Sequence, residues 1–279
     1  MENINCPLCG MSGEIFLWEK NEARYVRCKQ CKLVYENPRL TESELKDFYS
    51  EESYFVRSDS SIPVVGYEDY CAQCTPKLQR EYFGIVERYT ARKSGRYLDI
   101  GCGTGGVVKA AQQKGWEAVG QEISSWAVEQ GHREGTPIVH AGLLEAHFPE
   151  NHFDAVSMFD VLEHLPSPVS YVREIYRILN HGGVLVVETP NIDGFFARHF
   201  YKEKSDLVKP RAHICLYGPT SSHRLFSEAP FSKKLIRTFP YCRRYTVAYL
   251  KGVIATRILP HRVPVQLTFN ESLRIICWK

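Results

Sequence analysis

The chain has 279 residues, 44% of them apolar, with 35 Lys and Arg against 32 Asp and Glu for a formal charge of +3. That length accommodates one sizeable core and a small appendage, and so modest a charge does not by itself point to a nucleic acid or a membrane as partner. No apolar run reaches the roughly 18–20 residues of a membrane span, and "MENINCPLCG" lacks the basic and apolar regions of a secretory leader, so a soluble cytoplasmic protein is expected. Of ten cysteines, six fall in three C-x-x-C pairs, which suits metal ligands in a reducing compartment better than disulfides.

The first predicted element is a metal module over residues 1–37. Cys6 and Cys9 in "CPLCG" and Cys28 and Cys31 in "CKQC" are separated by eighteen residues. Four thiolates in two such knuckles close a tetrahedral Zn2+ site, and Gly10 eases the turn after the second cysteine. Between them, "EIFLWEK" and "ARYVRC" are strand-like runs joined by polar "NEA", so a β-hairpin bridges the knuckles as in a zinc ribbon. A closed four-cysteine site leaves no coordination position for chemistry, so the ion's expected role is structural. Arg24, Arg27, Lys29 and Lys32 are offset by Glu14, Glu19 and Glu22, which makes the ribbon a weak nucleic-acid footprint.

Residues 38–94 follow as a helical linker or lid. Thr41 caps a helix carrying Glu42 and Glu44, and "YEDYCAQCTPKLQREYFGIVERY" holds a later helical pattern. The third cysteine pair, Cys71 and Cys74, lies in or beside a helical pattern without a fourth pair, so core packing is expected there and not a second metal.

From Gly95 the chain alternates strand and helix. "RYLDIGC" is a strand, "GGVVKAAQQKG" a helix closed by Gly115, "WEAVGQEIS" a strand, "SSWAVEQGHREG" a helix and "TPIVHAG" a short strand. "HFDAVSMFDVLEHL" then opens with a strand, "SPVSYVREIYRILN" reads as an amphipathic helix ended by "HGG", and "VLVVETPN" as a buried strand. The pattern predicts an α/β fold with a parallel sheet, helices on both faces, and ligands at the carboxyl ends of the strands.

The loop "GCGTGG" satisfies G-x-G-x-x-G, with Glu122 about twenty residues on, so a nicotinamide dinucleotide is one candidate ligand. Asp99 separates the candidates. A carboxylate two residues ahead of the first glycine opposes an anionic pyrophosphate but suits a ligand bearing an ammonium group. S-adenosylmethionine (SAM) has the ammonium and no phosphate. Gly101, Gly103 and Gly105 would let backbone approach its methionine and ribose, and Glu122 would accept from the ribose hydroxyls. The competing assignments are that Asp99 caps the loop's own amides and that Glu122 caps the next helix.

"LDIGCGTGG", "VGQEIS", "FPENHFDAVSMFDVLEHLPSPVSYVREIYRIL" and "GGVLVVETPN", in that order between Gly95 and Asn191, resemble the class I SAM-dependent methyltransferases, in particular their quinone-biosynthesis-like and small-molecule branch. The ribbon followed by "LVYENPRLTESELKDFY" is similar to members of that branch that carry an N-terminal zinc module. The resemblance implies a Rossmann-like sheet of seven strands with the last one reversed, supplied by "ESLRIICWK", and a SAM-binding core over residues 95–200. Residues 201–279 would then cover the substrate and complete the final hairpin. It further assigns Asp99 and the three glycines to the methionine side, Glu122 to ribose, Ile123 with Leu143 or Leu144 to the adenine pocket, and Phe159 and Asp160 to the sulfonium. Two departures stand out: His181 where relatives carry proline, and "GLLEAHF" where an acid commonly meets the adenine amine, leaving Glu145 as the nearest one.

Methyl transfer needs a base only where the acceptor must lose a proton, and His164 in "LEHLP" and His213 in "RAHICLYG" are the candidates. The segment from Arg224 to Arg262 is rich in Lys and Arg, which suits an anionic small-molecule acceptor such as a nucleotide sugar; a solvated basic face is the simpler explanation. A small-molecule methyltransferase is thus the leading expectation. The alternatives are an RNA-directed methyltransferase, a zinc-ribbon adapter and an NAD-dependent oxidoreductase.

Overall fold

The computed structural model describes residues 1–41, 43–45, 48, 76–194, 209–239 and 272–279. Cys71, Cys74 and the basic residues from Arg243 to Arg262 lie outside the described residues.

The ribbon begins as a hairpin of β1 (Glu14–Lys20) and β2 (Ala23–Cys28). Lys20 pairs with Ala23, so the turn is the two residues Asn21 and Glu22, whose φ angles of 47° and 63° are those of the left-handed turn that matches strand twist. β3 (Val34–Glu36) adds to β2 in antiparallel fashion. The fourth strand comes from far along the chain: β9 (Cys215–Leu216) pairs with β3 through Val34 and Leu216 and through Tyr35 and Cys215. Beyond β3 the chain enters a capping box, in which Thr41 N donates to Glu44 Oε2 at 2.8 Å and Glu44 N donates to Thr41 Oγ1 at 3.4 Å.

The main sheet has seven strands in the order β10-β11-β8-β7-β4-β5-β6. β4 (Arg96–Ile100), β5 (Glu117–Glu122), β6 (Ile138–His140), β7 (Phe153–Phe159) and β8 (Leu179–Pro190) run parallel, while β11 (Ser272–Trp278) lies antiparallel between β8 and β10 (Lys233–Phe239). The described residues include the helices α1 (Pro76–Tyr89), α2 (Gly106–Gln112), α3 (Ser125–Arg133), α4 (Pro168–Ile178) and α5 (Pro219–Leu225), besides the short helical stretch that follows Thr41. Alternation along each strand sorts side chains to opposite faces. Leu98, Ile100, Val156, Met158, Leu185 and Val187 join α4 residues Val172, Ile175 and Ile178 in one core. Tyr97, Ala155, Val184 and Val186 join α1 residues Phe83 and Val86 and α2 residues Val108 and Ala111 in the other. Each fully buried aliphatic side chain contributes about 1.5–3 kcal/mol, which is what holds helices to both faces.

One expectation changes in detail. "HGG" does not separate helix from strand: α4 ends at Ile178, β8 starts at Leu179, and residues between Leu179 and Val184 bulge while β7 advances only from Phe153 to Ala155. Gly182, with a φ of 75°, makes that bulge, and its N–H donates to Lys279 O at 3.0 Å. In the ribbon, Cys6, Leu8, Val26, Cys31, Leu33 and Tyr35 pack into the same cluster as the sheet's α4 face, while Trp18, Ala23, Tyr25 and Val34 form a separate cluster with Ile192 and Leu216. Among the described residues no helix is long and apolar enough to cross a membrane.

Candidate functional site

β4, β5, β7 and β8 release their chains on one side of the sheet, and the residues singled out in the sequence gather there. Asp99 pairs in register with Ser157 of β7. Ser157 Oγ donates to Asp99 Oδ1, and Tyr97 Oη lies 2.5 Å from Ser157 Oγ, so a buried hydroxyl chain holds the carboxylate. Asp99 is 4% exposed; burial, with Glu122 as a nearby like charge, pushes its carboxyl up to about 7 against those hydrogen bonds.

Beyond β4 the three glycines have φ values of 66°, 55° and 82°. They are not equivalent. A Cβ at Gly101 would meet Val161 Cγ2 at 2.4 Å and one at Gly105 would meet Thr136 Cγ2 at 2.4 Å, whereas one at Gly103 would have nothing within 4 Å. Gly101 and Gly105 therefore serve packing, and Gly103 faces the space a ligand can enter. Glu122 grips the same loop: Gly103 N donates to its Oε2 at 3.0 Å, and Ile123 N and Ser124 N donate to Oε1 at 2.7 and 2.9 Å. The cap of α3 itself is Ser124, whose Oγ accepts from Ala127 N at 3.3 Å. Beside this carboxylate Ile123 is 45% exposed and Leu144 39% exposed, while Leu143 is fully buried. Of the leucine pair only Leu144 is therefore exposed enough to meet a ligand.

On the β7 and β8 side, Asp160 has a left-handed φ of 52° and the 3-10 turn Leu162–His164 follows. Ligand-competent atoms of Glu163, His164 and His213 lie within 4.8 Å of one another, and the two imidazoles meet edge to face with centroids 4.9 Å apart. Thr189 Oγ1 donates to Glu163 Oε2 at 2.9 Å. His164 Nδ1 lies 2.9 Å from Ala212 O, and the backbone of Asp160 gives the same imidazole a second hydrogen bond. Burial and the charge of Lys209 push His164 down to about 4. Burial pushes three acids up: Asp160 to about 6 against Lys209, Glu163 to about 8 with Asp160 adding to the effect, and Glu188 to about 7 against its ion pair with Arg274.

The four ribbon sulfurs converge separately. Cys6 Sγ and Cys31 Sγ are 3.4 Å apart, Cys9 Sγ and Cys28 Sγ 3.6 Å, and all four lie within 4.8 Å of one another as free thiols. Four sulfurs around one zinc at about 2.3 Å would stand about 3.8 Å apart, so the set fits a tetrahedral ion. The knuckles share one backbone shape: Gly10 N donates to Cys6 O at 2.8 Å with a φ of 70°, and Lys32 N to Cys28 O at 3.2 Å with a φ of 65°.

Sequence inspection missed α1 as part of this end of the molecule. Its Tyr82 ring lies 4.8 Å from Phe159, and Gln79 Nε2 sits where a Cβ on Gly106 would fall. The helix was legible in its amphipathic period, but which of its residues meets the glycine loop depends on how it crosses the sheet. A shallow cavity of about 320 Å³ lined by Arg96, Gln112, Trp116 and Glu117 lies instead at the amino-terminal ends of the strands.

A family model described as a methyltransferase domain matches residues 75–233. The sterol 24-C-methyltransferase of Yarrowia lipolytica is 33% identical over 115 residues, 36% of this chain and 30% of that protein. The ubiquinone biosynthesis O-methyltransferase of Pseudomonas entomophila is 34% identical over 104 residues, 34% of this chain and 44% of that protein. The chain thus spans less than half the length of these curated relatives. Among solved structures, a SAM-dependent methyltransferase from Archaeoglobus fulgidus superposes with a TM-score of 0.56 at 20% identity, covering 74% of this chain and 95% of that one. Phosphoethanolamine N-methyltransferase 2 of Haemonchus contortus, solved with SAM, gives 0.52 at 17% identity, covering 78% and 60%. The sheet order with its reversed strand, the glycine loop between Asp99 and Glu122, and a match over more than half its residues place this chain in the methyltransferase-domain family, with the class I SAM-dependent methyltransferase fold.

Proposed function

We propose that the chain transfers a methyl group from SAM to a small, polyhydroxylated acceptor of the sugar or nucleotide-sugar class. The observation that carries this is the pairing of two unlike regions at one sheet edge: an open glycine cradle between Asp99 and Glu122, and a polar cluster of Asp160, Glu163, His164, His213 and Glu188 beside it. When bound, SAM supplies an electrophilic methyl group on a sulfonium, whose departure leaves a neutral thioether.

The residues divide the work. Asp99 suits the ammonium, Glu122 the ribose hydroxyls, Gly103 the close approach of backbone, and Ile123 with Leu144 the adenine ring. Phe159 and Asp160 end β7 where the sulfonium belongs, and a carboxylate there complements positive charge. His164 is held neutral, and an imidazole in that state suits removal of a hydroxyl proton from the acceptor; His213 packs against it as the second imidazole. Acids raised to between about 6 and 8 both donate and accept hydrogen bonds near neutral pH. Such a lining favours a ligand rich in hydroxyls over a sterol or a prenylated ring, which would need apolar walls.

Zinc in the four-cysteine site would be structural. Arg24 is paired with Glu14 and Arg27 with Asp193, which lowers the case for an RNA-binding ribbon. The exposed Lys233 and Arg237 lie on the edge strand β10, where charge blocks further strand pairing, so that part of the basic segment has a structural use.

Calorimetric titration with SAM, its demethylated product and the nicotinamide dinucleotides is the test, followed by an acceptor screen with nucleotide sugars. Saturable binding of SAM and its product alone supports the cofactor assignment. Dinucleotide binding in their place would replace methyl transfer by hydride transfer.

A further inference from the structure

Tyr97 and Asp99 lie two residues apart on β4, so strand alternation puts both on the face that packs against α1 and α2. On β7, Ala155 pairs with Tyr97 and Ser157 with Asp99. Ala155 offers only a methyl group, and the Tyr97 hydroxyl reaches past it to Ser157 Oγ at 2.5 Å. Phe83 and Trp116 meet the Tyr97 ring edge to face, with centroids at 5.1 and 6.5 Å, and fix its direction. On the β5 side Asp99 pairs with Gly120, and Cys102 Sγ occupies the place of the missing Cβ.

The hydroxyls have a definite sense while Asp99 is ionised. A carboxylate only accepts, so Ser157 Oγ donates to Asp99 Oδ1, and with its single proton so committed it accepts from Tyr97. Burial, with Asp99 adding to it, pushes the Tyr97 phenol well above its usual range, so its proton stays in place. Glu122 faces Asp99 as a like charge, and the Cys102 thiol beside it is pushed up by burial and stays neutral. Ser157 and Tyr97 are both 0% exposed, so water does not replace them. The two hydroxyls are what opposes burial of the Asp99 charge until a cation arrives.

We propose that Ser157 and Tyr97 are positioning residues for SAM: their hydroxyl relay orients the Asp99 carboxylate and keeps its charge available to the cofactor's ammonium group. This rests on the assignment of Asp99 given above. A strand that does not carry the glycine loop then sets the pH range over which the loop's carboxylate holds its ligand.

The test uses the full, zinc-loaded chain labelled with 13C at the aspartate side-chain carboxyls, with the Asp99 signal assigned by an Asp99→Asn variant. In the ligand-free wild type that signal should titrate near pH 7. Ser157→Ala removes a hydrogen bond to a charged group and should raise the midpoint by about one to two pH units, with the SAM Kd at pH 6.5 weakened about 10- to 100-fold by calorimetry. Tyr97→Phe keeps the ring packed and removes only the hydroxyl, and should shift both readouts in the same direction by a smaller amount. It also stands in for Ser157→Ala should that variant not fold. A loss of packing alone would lower Tm without moving the titration. An Asp99 midpoint unchanged in both variants, with SAM binding lost in Asp99→Asn, overturns the relay alone. SAM affinity unaffected by Asp99→Asn would remove the ammonium assignment, and the proposal with it.

Discussion

Glu122 Oε2 lies 3.0 Å from the amide nitrogen of Gly103, so the carboxylate that ends β5 fastens the loop that ends β4. The two strand ends are therefore one unit, and a ligand between them meets a carboxylate already oriented by three backbone amides. Glu122→Ala should weaken SAM binding about 10- to 100-fold, the value of one or two hydrogen bonds to a charged group, as read by calorimetry. An unchanged Kd would mean that Glu122 serves only the loop.

The glycines should separate by readout. Gly101→Ala forces a Cβ against Val161 at 2.4 Å and should lower Tm by several degrees whether or not ligand is present. Gly103→Ala meets open space, so beyond the roughly 1–2 kcal/mol cost of its left-handed φ its main effect should be on SAM affinity. Equal losses of Tm with no affinity difference would contradict the placement of Gly103 at the ligand.

The Asp99 carboxyl, raised to about 7, predicts a pH dependence of definite sign. In the unfolded chain the group titrates near its usual value of about 3.9, so between about pH 4 and 7 the folded protein holds a proton that the unfolded one has lost. The stability of the free protein should fall through this window, with the cost complete above about pH 7. A cationic ligand favours the ionised carboxylate, so SAM affinity should rise with pH up to about 7 and level off above. Titrations in buffers of different ionisation enthalpy should show proton release on binding near pH 6. Proton uptake there would remove Asp99 as the ammonium partner.

For the ribbon, metal analysis should find about one zinc per chain, lost on treatment with a strong chelator. The two knuckles carry a glycine and a lysine at matching left-handed positions, Gly10 and Lys32. Gly10→Ala should destabilise the protein by about 1 kcal/mol through backbone strain alone, since no atom lies within 4 Å of the added carbon. Lys32→Gly should be neutral or stabilising, because relief of strain offsets the loss of the Lys32 Nζ bond to Lys29 O. Thermal melts of the zinc-loaded variants check both directions.

Much of this architecture was legible because its signals are local. Buried parallel strands read as apolar runs, and "LDIGCGTGG" and "VGQEIS" mark strand ends by chemistry as well as by pattern. The parallel sheet and the gathering of Asp99, Glu122 and His164 at the strands' carboxyl ends follow from those runs, whereas the reversed β11 was implied by the resemblance to the methyltransferases. What escaped depends on partners distant in sequence. β9 is two residues long and shows no period, and only its pairing with Val34 and Tyr35 makes it a strand. Leu143 and Leu144 are indistinguishable as letters, and the turn they occupy decides that one faces the core and the other the solvent. Glu36 reads as an ordinary polar end of a strand; its burial comes from the Arg211 turn laid across it.

The pairing of β3 with β9 sets an order of assembly. The hairpin and both cysteine knuckles leave the ribosome first, yet their sheet lacks its fourth strand until residue 216 has been made, after every parallel strand of the large sheet. Local contacts form early and long-range ones late, so the amino-terminal module waits on the rest of the chain for its final edge. An isolated fragment of residues 1–37 would be an unfinished sheet.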